Sequence, residues 1–238
     1  MSMQIRSITD IGNFRNYNDD SCFYDEKKEL MVIADGMGGY AGGRIASRIA
    51  VDVFRKYYMG ITEETYQEEL RNLFSISNNA IVDEAKRHND HNKMGTTLTA
   101  LCIYEDQYYI AHVGDSRAYL YRDGKLHRLT EDHNLVTELL KTKQITKKEA
   151  VNHPGKSMLT RVIGRAPLAE IDFYSGKTEE DDLFLLCTDG VSGSLDDKKI
   201  ASSIKGNLSI EQMLNKLVNK VLDRGGKDNI TAILGKKL

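Results

Sequence analysis

Met31-Val32-Ile33-Ala34-Asp35-Gly36 and Leu183-Phe184-Leu185-Leu186-Cys187-Thr188-Asp189-Gly190 are two apolar runs of strand type that end in the same dipeptide. A carboxylate at the end of a buried strand is costly unless something pairs with it. The glycine that follows lets the backbone turn and lets another group come close. Two such strand ends can meet in space and hold a divalent cation through hard oxygen ligands.

Reading outward, Gln4 to Thr9 alternates as a strand, and Ser21 to Tyr24 with Leu30 to Ala34 reads as a hairpin around Asp25-Glu26-Lys27-Lys28. Gly38-Gly39 and Gly42-Gly43 lead into a helix striped by Ile45, Ile49, Val53, Phe54 and Tyr57. Thr62 is the expected N-cap of a second helix, striped by Leu70, Leu73, Phe74, Ser77, Ile81 and Ala85. Each helix has one apolar face, so each should cover a sheet. From Thr96 the period falls to two. The runs Thr97–Tyr104, Tyr108–Val113, Ala118–Arg122 and Lys125–Leu129 predict consecutive antiparallel strands, the last pair joined at Asp123-Gly124. The stretch 135–165 interrupts this meander, with short helices expected near Leu135–Leu140 and from the capping-box spacing Thr146 to Glu149. It reads either as a flap that controls substrate access or as a surface loop without that role. Strands return at Glu170–Tyr174 and Leu183–Thr188. A helix capped by Ser209 and Gln212 ends at Gly225-Gly226, and Asn229–Leu234 closes as a strand. Helices segregated beside antiparallel strands predict an α+β layered fold.

The 238 residues hold only two prolines, Pro154 and Pro167, and no Pro/Gly/Ser-rich linker, which predicts one domain over 1–238 with a flap subdomain at about 135–165. Lys and Arg number 33 against 35 Asp and Glu, a net charge of −2 that argues against a nucleic-acid binder. Lys141, Lys143, Lys147 and Lys148 read as a solvated face. Cys22, Cys102 and Cys187 are widely spaced and read as reduced, buried thiols, in keeping with a cytoplasmic protein. No apolar run is long enough to span a membrane and no signal-peptide core is visible, and a monomer is expected.

Some motifs are decoys. Gly155-Lys156-Ser157 ends like a P-loop, but Ala150 stands where the first glycine belongs and no strand precedes it. Gly190-Val191-Ser192-Gly193 falls one residue off a nucleophile elbow and has no fitting triad. His88 and His91 lack zinc-ligand partners nearby and read as a polar loop.

Asp recurs at strand ends or turns in Asp19-Asp20, Asp35-Gly36, Gly114-Asp115, Asp189-Gly190 and Asp228-Asn229. A lone Asp-Gly is ordinarily a turn. Here the flanking apolar runs push the acids to the rims of buried strands, where they repel unless cations sit between them. Carboxylate and water ligands suit Mg²⁺ or Mn²⁺ better than zinc.

The ordered motifs carry a resemblance. They are Arg15-Asn16-Tyr17-Asn18-Asp19-Asp20-Ser21, Ala34-Asp35-Gly36-Met37-Gly38-Gly39 with Gly43 and Ala46-Ser47, Gly95-Thr96-Thr97, His112-Val113-Gly114-Asp115-Ser116-Arg117 and Leu129-Thr130-Glu131-Asp132-His133. His153-Pro154, Leu159-Thr160-Arg161, Cys187-Thr188-Asp189-Gly190 and Gly226-Lys227-Asp228-Asn229-Ile230-Thr231 complete the series. From about Asp10 to Leu234 the chain resembles the metal-dependent type 2C (PPM) Ser/Thr protein phosphatases in their short bacterial form. The resemblance implies a four-layer αββα sandwich, two antiparallel sheets face to face with a helix pair outside each. It also implies roles. Asp35 would bridge two ions, Asp189 and Asp228 would hold the first, and Asp19 with the Gly36 carbonyl the second. Gly190 would only ease its turn. Asp20 would hydrogen-bond metal-bound water, and Asp115 with Asp189 would serve a third, weaker ion. Arg15 would bind the substrate phosphate, and Asn229 would support the ligands.

The implied activity is hydrolysis of phosphoserine and phosphothreonine in proteins, by in-line attack of a metal-bridging hydroxide without a phosphoenzyme. The expected partners are phosphorylated proteins, among them a bacterial Ser/Thr kinase and its substrates. Departures from the pattern are Asp19 in place of a longer acid or amide, Met37 where eukaryotic relatives carry His, Arg44 in place of a frequent acid and Ser157 in place of Asn. Met37 leaves the general acid unassigned between metal-bound water and, more weakly, His133. Two alternatives stand beside this reading: a non-catalytic regulatory module on the same fold, and a two-metal phosphoesterase acting on nucleotides or small molecules.

Overall fold

The order of elements is β1 (Met3–Asp10), β2 (Asp20–Asp25), β3 (Leu30–Met37), α1 (Gly42–Tyr57), α2 (Tyr66–Arg87), β4 (Gly95–Thr96), β5 (Leu98–Tyr104), β6 (Gln107–Val113), β7 (Arg117–Arg122), β8 (Lys125–Arg128), α3 (Leu135–Lys141), α4 (Lys147–Ala150), β9 (Asp172–Lys177), β10 (Leu183–Cys187), α5 (Asp189–Ser192), α6 (Asp197–Ser203), α7 (Ile210–Leu222) and β11 (Ile230–Lys237). The computed structural model describes residues 3–38, 41–87, 94–150 and 153–238. His88 and His91, like Gly39, lie outside the described residues. One antiparallel sheet runs β1-β11-β10-β7-β8 and the other β2-β3-β5-β6-β9, with β4 paired to β3.

Successive side chains of a strand point to opposite faces, and here both faces are covered. In β3, Leu30, Val32 and Ala34 pack under α1 and α2, while Met31 and Ile33 point into the gap between the sheets. In β10, Leu183, Leu185 and Cys187 pack under α7, while Phe184 and Leu186 enter the same gap. That double burial is why both runs lack polar alternation. The gap is filled by Met3, Ile5, Leu101, Ile103, Ile110, Leu120 and Ile233 as well, all buried. The layers are therefore helices, sheet, sheet, helices, as the resemblance implies.

The structure departs from the periodicity reading in four places. The strands at 107–113 and 117–122 do not pair. β6 already has β5 and β9 on its two sides, so β7 crosses to β10 in the other sheet. The second helix starts at Tyr66, and Thr62 caps the turn before it, accepting from the Thr65 amide at 3.3 Å. The buried face of α1 is Gly43, Ala46, Ser47, Ala50, Val51, Val53 and Phe54, while Ile45 and Ile49 are partly buried and Tyr57 is exposed. Small residues face inward because the start of α1 lies against β3. Finally, α5 and α6 were not expected; Asp196 caps α6 by accepting from the Lys199 amide at 2.9 Å.

Phe184 is fully buried in the gap, with Tyr108 at 5.4 Å between ring centroids. Phe184→Ala is expected to lower unfolding stability by about 3–5 kcal/mol, read from urea denaturation. A loss below about 1 kcal/mol would show that the two sheets close over the missing ring.

Candidate active site

Asp35 continues the parity of Met31 and Ile33, so its carboxylate emerges at the rim of the gap between the sheets. Thr97 and Thr96 fix that strand end. The Asp35 amide donates to Thr97 Oγ1 at 2.9 Å, and the Asp35 carbonyl accepts from the Thr97 amide and from Thr96 Oγ1, each at 2.9 Å. Thr97 Oγ1 also meets Ser116 Oγ at 2.8 Å, which ties Asp35 to the link carrying Asp115 from one sheet to the other. Asp20 faces Asp35 across the β2–β3 pair and accepts from Thr188 Oγ1 at 2.9 Å, the residue before Asp189. Two strand ends from different sheets are thus bonded side chain to side chain.

Gly36 and Gly190 answer to close approach. A Cβ on Gly36 would lie 2.1 Å from the Gly43 carbonyl oxygen, and one on Gly190 would lie 1.8 Å from that of Asn229. Gly190 therefore does more than ease a turn. It sits inside α5 and lets the Asp228-Asn229 corner settle against Asp189.

Asn229 organises the opposite wall. Its amide nitrogen donates to the carbonyls of Ile11 at 3.0 Å and Tyr17 at 2.9 Å, and its side-chain oxygen accepts from the Asp19 amide at 2.8 Å. The Asp19 carbonyl accepts in turn from Ser47 Oγ at 2.6 Å and the Gly36 amide at 3.1 Å. The loop so pinned presents Arg15, whose Nη2 donates to Asp228 Oδ2 at 2.6 Å.

These residues surround a cavity of about 320 Å³ lined by Arg15, Asp19, Asp35, Gly36, Met37, Asp115, Asp189, Asp228 and Asn229, with Ser157 and Leu159 reaching in from the 135–165 segment. Asp20, paired with Asp35 across β2 and β3, is not part of that lining. Of the site residues expected from sequence, all but Asp20 therefore line one cavity. A larger cavity of about 550 Å³ opens beside Arg122, Asp182 and Lys236, but three of its five acids are already matched. Asp182 pairs with Arg122 at 2.5 Å, Glu179 with Arg122 at 2.7 Å, and Asp181 with Lys236 at 2.6 Å.

Electrostatics set the cavity apart. Burial raises the Asp35 carboxyl well above its ordinary range, and Asp20, Asp189 and Asp115 repel its charge further. Burial and then Asp189 push Asp115 well up. Asp189 is raised by burial and by Asp228. Asp20 is pushed up to about 7, mainly by burial, against hydrogen bonds from Thr231 and Thr188. Asp19 is raised by burial, with Arg44 and Arg15 opposing. Among the described residues no three Asp, Glu, His or Cys side chains close into a ready-made cage. Acids spread around a cavity, with room left for water, fit hard cations that keep part of their hydration.

His133 is not placed to protonate a leaving group in this cavity. It is buried, its Nδ1 accepts from the Gly114 amide at 3.1 Å, and its Nε2 meets Asp172 Oδ2 at 3.1 Å. Its work is to hold the Gly114–Asp115 link. Thr97, Thr188, Ser47 and His133 support the acids without having been singled out for that task; the available signal was a Ser, Thr or His beside, or one strand away from, a rim Asp. Among the described residues Ser192 has no triad partners, and Gly155-Lys156-Ser157 is a turn of the 135–165 segment.

A family model described as protein phosphatase 2C matches residues 15–235. The serine/threonine phosphatase stp of Listeria welshimeri is 37% identical over 233 residues, covering 95% of this chain and 92% of that protein. The protein phosphatase PhpP of Streptococcus pneumoniae is 35% identical over 243 residues, covering 98% and 96%. Among solved structures, the Mycobacterium tuberculosis serine/threonine phosphatase PstP/Ppp superposes with a TM-score of 0.93 at 29% identity, covering 100% of this chain and 99% of that one. The catalytic domain of PstP, solved in complex with two manganese ions, gives a TM-score of 0.89 at 28% identity over 99% and 98% of the two chains. The sandwich, the acid-lined rim cavity and these likenesses agree: this chain belongs to the protein phosphatase 2C family.

Proposed function

We propose that this chain hydrolyses phosphoserine and phosphothreonine in proteins, using divalent cations held by the rim acids. The observation that carries the reading is the convergence of Asp19, Asp35, Asp115, Asp189 and Asp228 on one cavity beside Arg15. Asp35 would bridge two Mn²⁺ or Mg²⁺ ions, Asp189 and Asp228 completing one set and Asp19 with the Gly36 carbonyl the other. Asp115 with Asp189 would take a third. Bound there, the ions supply Lewis acidity to a water and to the phosphoryl oxygens.

The chain's own groups do the rest. Arg15 presents a forked donor that can leave Asp228 for two phosphate oxygens and offset the charge that builds on them. Asp20, held by Thr188 Oγ1, can exchange a proton at its carboxyl near neutral pH. Asn229 keeps the Arg15 loop and Asp19 in register. A cysteine nucleophile is disfavoured, since burial pushes the Cys102 and Cys187 thiols up to about 12. This supports direct attack of water on phosphorus without a phosphoenzyme. The 135–165 segment serves as a flap within a single catalytic domain: Ser157 and Leu159 line the cavity, and its return limb is pinned by the Thr96–Ile163 bridge, 2.9 Å in each direction. Phosphoproteins are the substrates, and a Ser/Thr kinase with its targets is the opposing system. No helix among the described residues is long and apolar enough to cross a membrane. The unpaired, buried Cys102 and Cys187 support a cytoplasmic setting, with the chain acting as a monomer. The intact acid set weighs against a non-catalytic module.

With Mn²⁺, p-nitrophenyl phosphate should be turned over, and EDTA should abolish it. Asp189→Ala should abolish it too, and Arg15→Ala should lower kcat/KM on the order of 10²-fold. Full activity in EDTA or in Asp189→Ala would sink the proposal, and failure of Mn²⁺ to bind in calorimetry would favour the regulatory module.

The raised carboxyls also predict a pH dependence. Asp20 moves from an ordinary 3.8 to about 7 on folding, so the folded state holds an extra proton between those values. Stability from that proton is fully present below the ordinary value and is lost as pH rises through about 7. In EDTA the melting temperature should therefore fall from about pH 5 to about pH 8. Cations favour the ionised acids, so the rise in melting temperature with Mn²⁺ should be larger at the higher pH. Equal stabilisation at both would contradict this electrostatic account.

A further inference from the structure

Eight large apolar side chains stand exposed among the described residues, and four of them lie on the two segments that supply Arg15, Ser157 and Leu159 to the acid-lined cavity. Ile11, Phe14 and Tyr17 lie on the Arg15 loop, exposed by 39%, 70% and 59%. Met158, 60% exposed, stands on the flap between Ser157 and Leu159, which line the cavity. Exposed apolar side chains carried by the segments that line one site point to a contact region there.

The backbone beneath these side chains is held on both sides. The Asn13 amide donates to the Gly226 carbonyl at 2.7 Å, and the carbonyls of Ile11 and Tyr17 accept from Asn229. The guanidinium of Arg44 lies 5.2 Å from the Tyr17 ring centroid, covering one ring face. On the flap, the Met158 carbonyl accepts from the Leu135 amide at 2.9 Å, and its amide donates to Gly155 at 3.1 Å. A pinned loop bearing an exposed Phe does not hide it by collapsing, so a ligand gains the full benefit of covering it.

We propose that Phe14, Tyr17 and Met158 form a docking rim for an apolar side chain flanking the phosphorylated residue of a protein substrate. The proposal rests on the phosphatase reading of the cavity and adds a sequence preference to it. Phe14 is the chain neighbour of Arg15, the phosphate donor of that reading, and Met158 stands between two residues that line the cavity. An extended peptide advances about 3.3–3.6 Å per residue, so positions one and two away from the phosphoresidue reach about 7 Å to either side of it. Burial of an apolar flank there would strengthen binding without touching the reacting atoms.

The test uses two phosphothreonine peptides, identical except for Leu or Gly at the two positions on each side, with p-nitrophenyl phosphate as a probe too small to reach the rim. The wild-type protein with Mn²⁺ should prefer the Leu peptide by about tenfold in kcat/KM, mainly through KM. In Phe14→Ala/Tyr17→Ala that ratio should collapse toward one, while Phe14→Leu should retain most of it. Equal use of the two peptides by wild type, or an undiminished preference in the double variant, would overturn the proposal. So would an equal fall in p-nitrophenyl phosphate turnover, because the residues would then act through Arg15. Failure of wild type to hydrolyse any of the three would remove the phosphatase reading, and this proposal with it, and is distinguishable from the other outcomes by that probe.

Discussion

The mutual repulsion of carboxylates at the seam between two sheets is the constraint around which the molecule is arranged. Asp20 and Asp35 oppose each other on neighbouring strands, Asp189 approaches from the other sheet, and Asp115 sits on the link that joins the two. Hydrophobic packing alone would not place them so. Burial and like charge both raise these acids, which means the folded chain holds them at a cost in free energy. The Thr188 hydroxyl, donating to the Asp20 carboxylate, offsets part of it, and protons or cations must offset the remainder.

The sandwich makes that geometry repeatable. Because β3 and β10 are covered on both faces, the side chains ahead of each acid are locked by packing, and the position of each carboxylate is inherited from the core. The cross-sheet bond from Thr188 to Asp20 then fixes the distance between the two rims. A site built on strand ends of a dry core is held more closely than one built on loops alone.

What the sequence disclosed follows from the same physics. Asp35 and Asp189 were legible because each closes an apolar run with no other place to hide a charge. The α2 stripe from Leu70 to Ala85 and the Ser209–Gln212 capping box were legible because local rules govern them, and the box is present in full. The split between β6 and β7 was not legible, since pairing depends on which strand edges are already occupied, and that is set by β9, some sixty residues farther along. The tilt of α1 toward its small residues was hidden for a similar reason. It answers to the close contact of Gly36 with Gly43, which no helical periodicity contains. His133 was legible as a motif residue but not as the partner of Gly114, because that contact forms only once two sheets are stacked.

Arg15 and Asp228 show how the site can change hands between its ligands. Their ion pair is half-exposed, with side chains 52% and 36% accessible, and a pair of that kind contributes about 0–1 kcal/mol. It is therefore a contact that either partner can leave at little cost. On the proposed reading, a cation held by Asp228 would weaken its hold on Arg15, and a phosphate held by Arg15 would free a carboxylate oxygen of Asp228. Charge balance would then make the two events favour each other, since each would remove the counter-charge that the other must displace. The loop that carries Arg15 need not move for this exchange. Asn229 grips it at Ile11, Tyr17 and Asp19, so only the guanidinium has to swing. The residue next to Asp228 in the chain thus steadies the arm whose hand Asp228 holds, and a change of partner at the tip leaves the acid-lined wall intact.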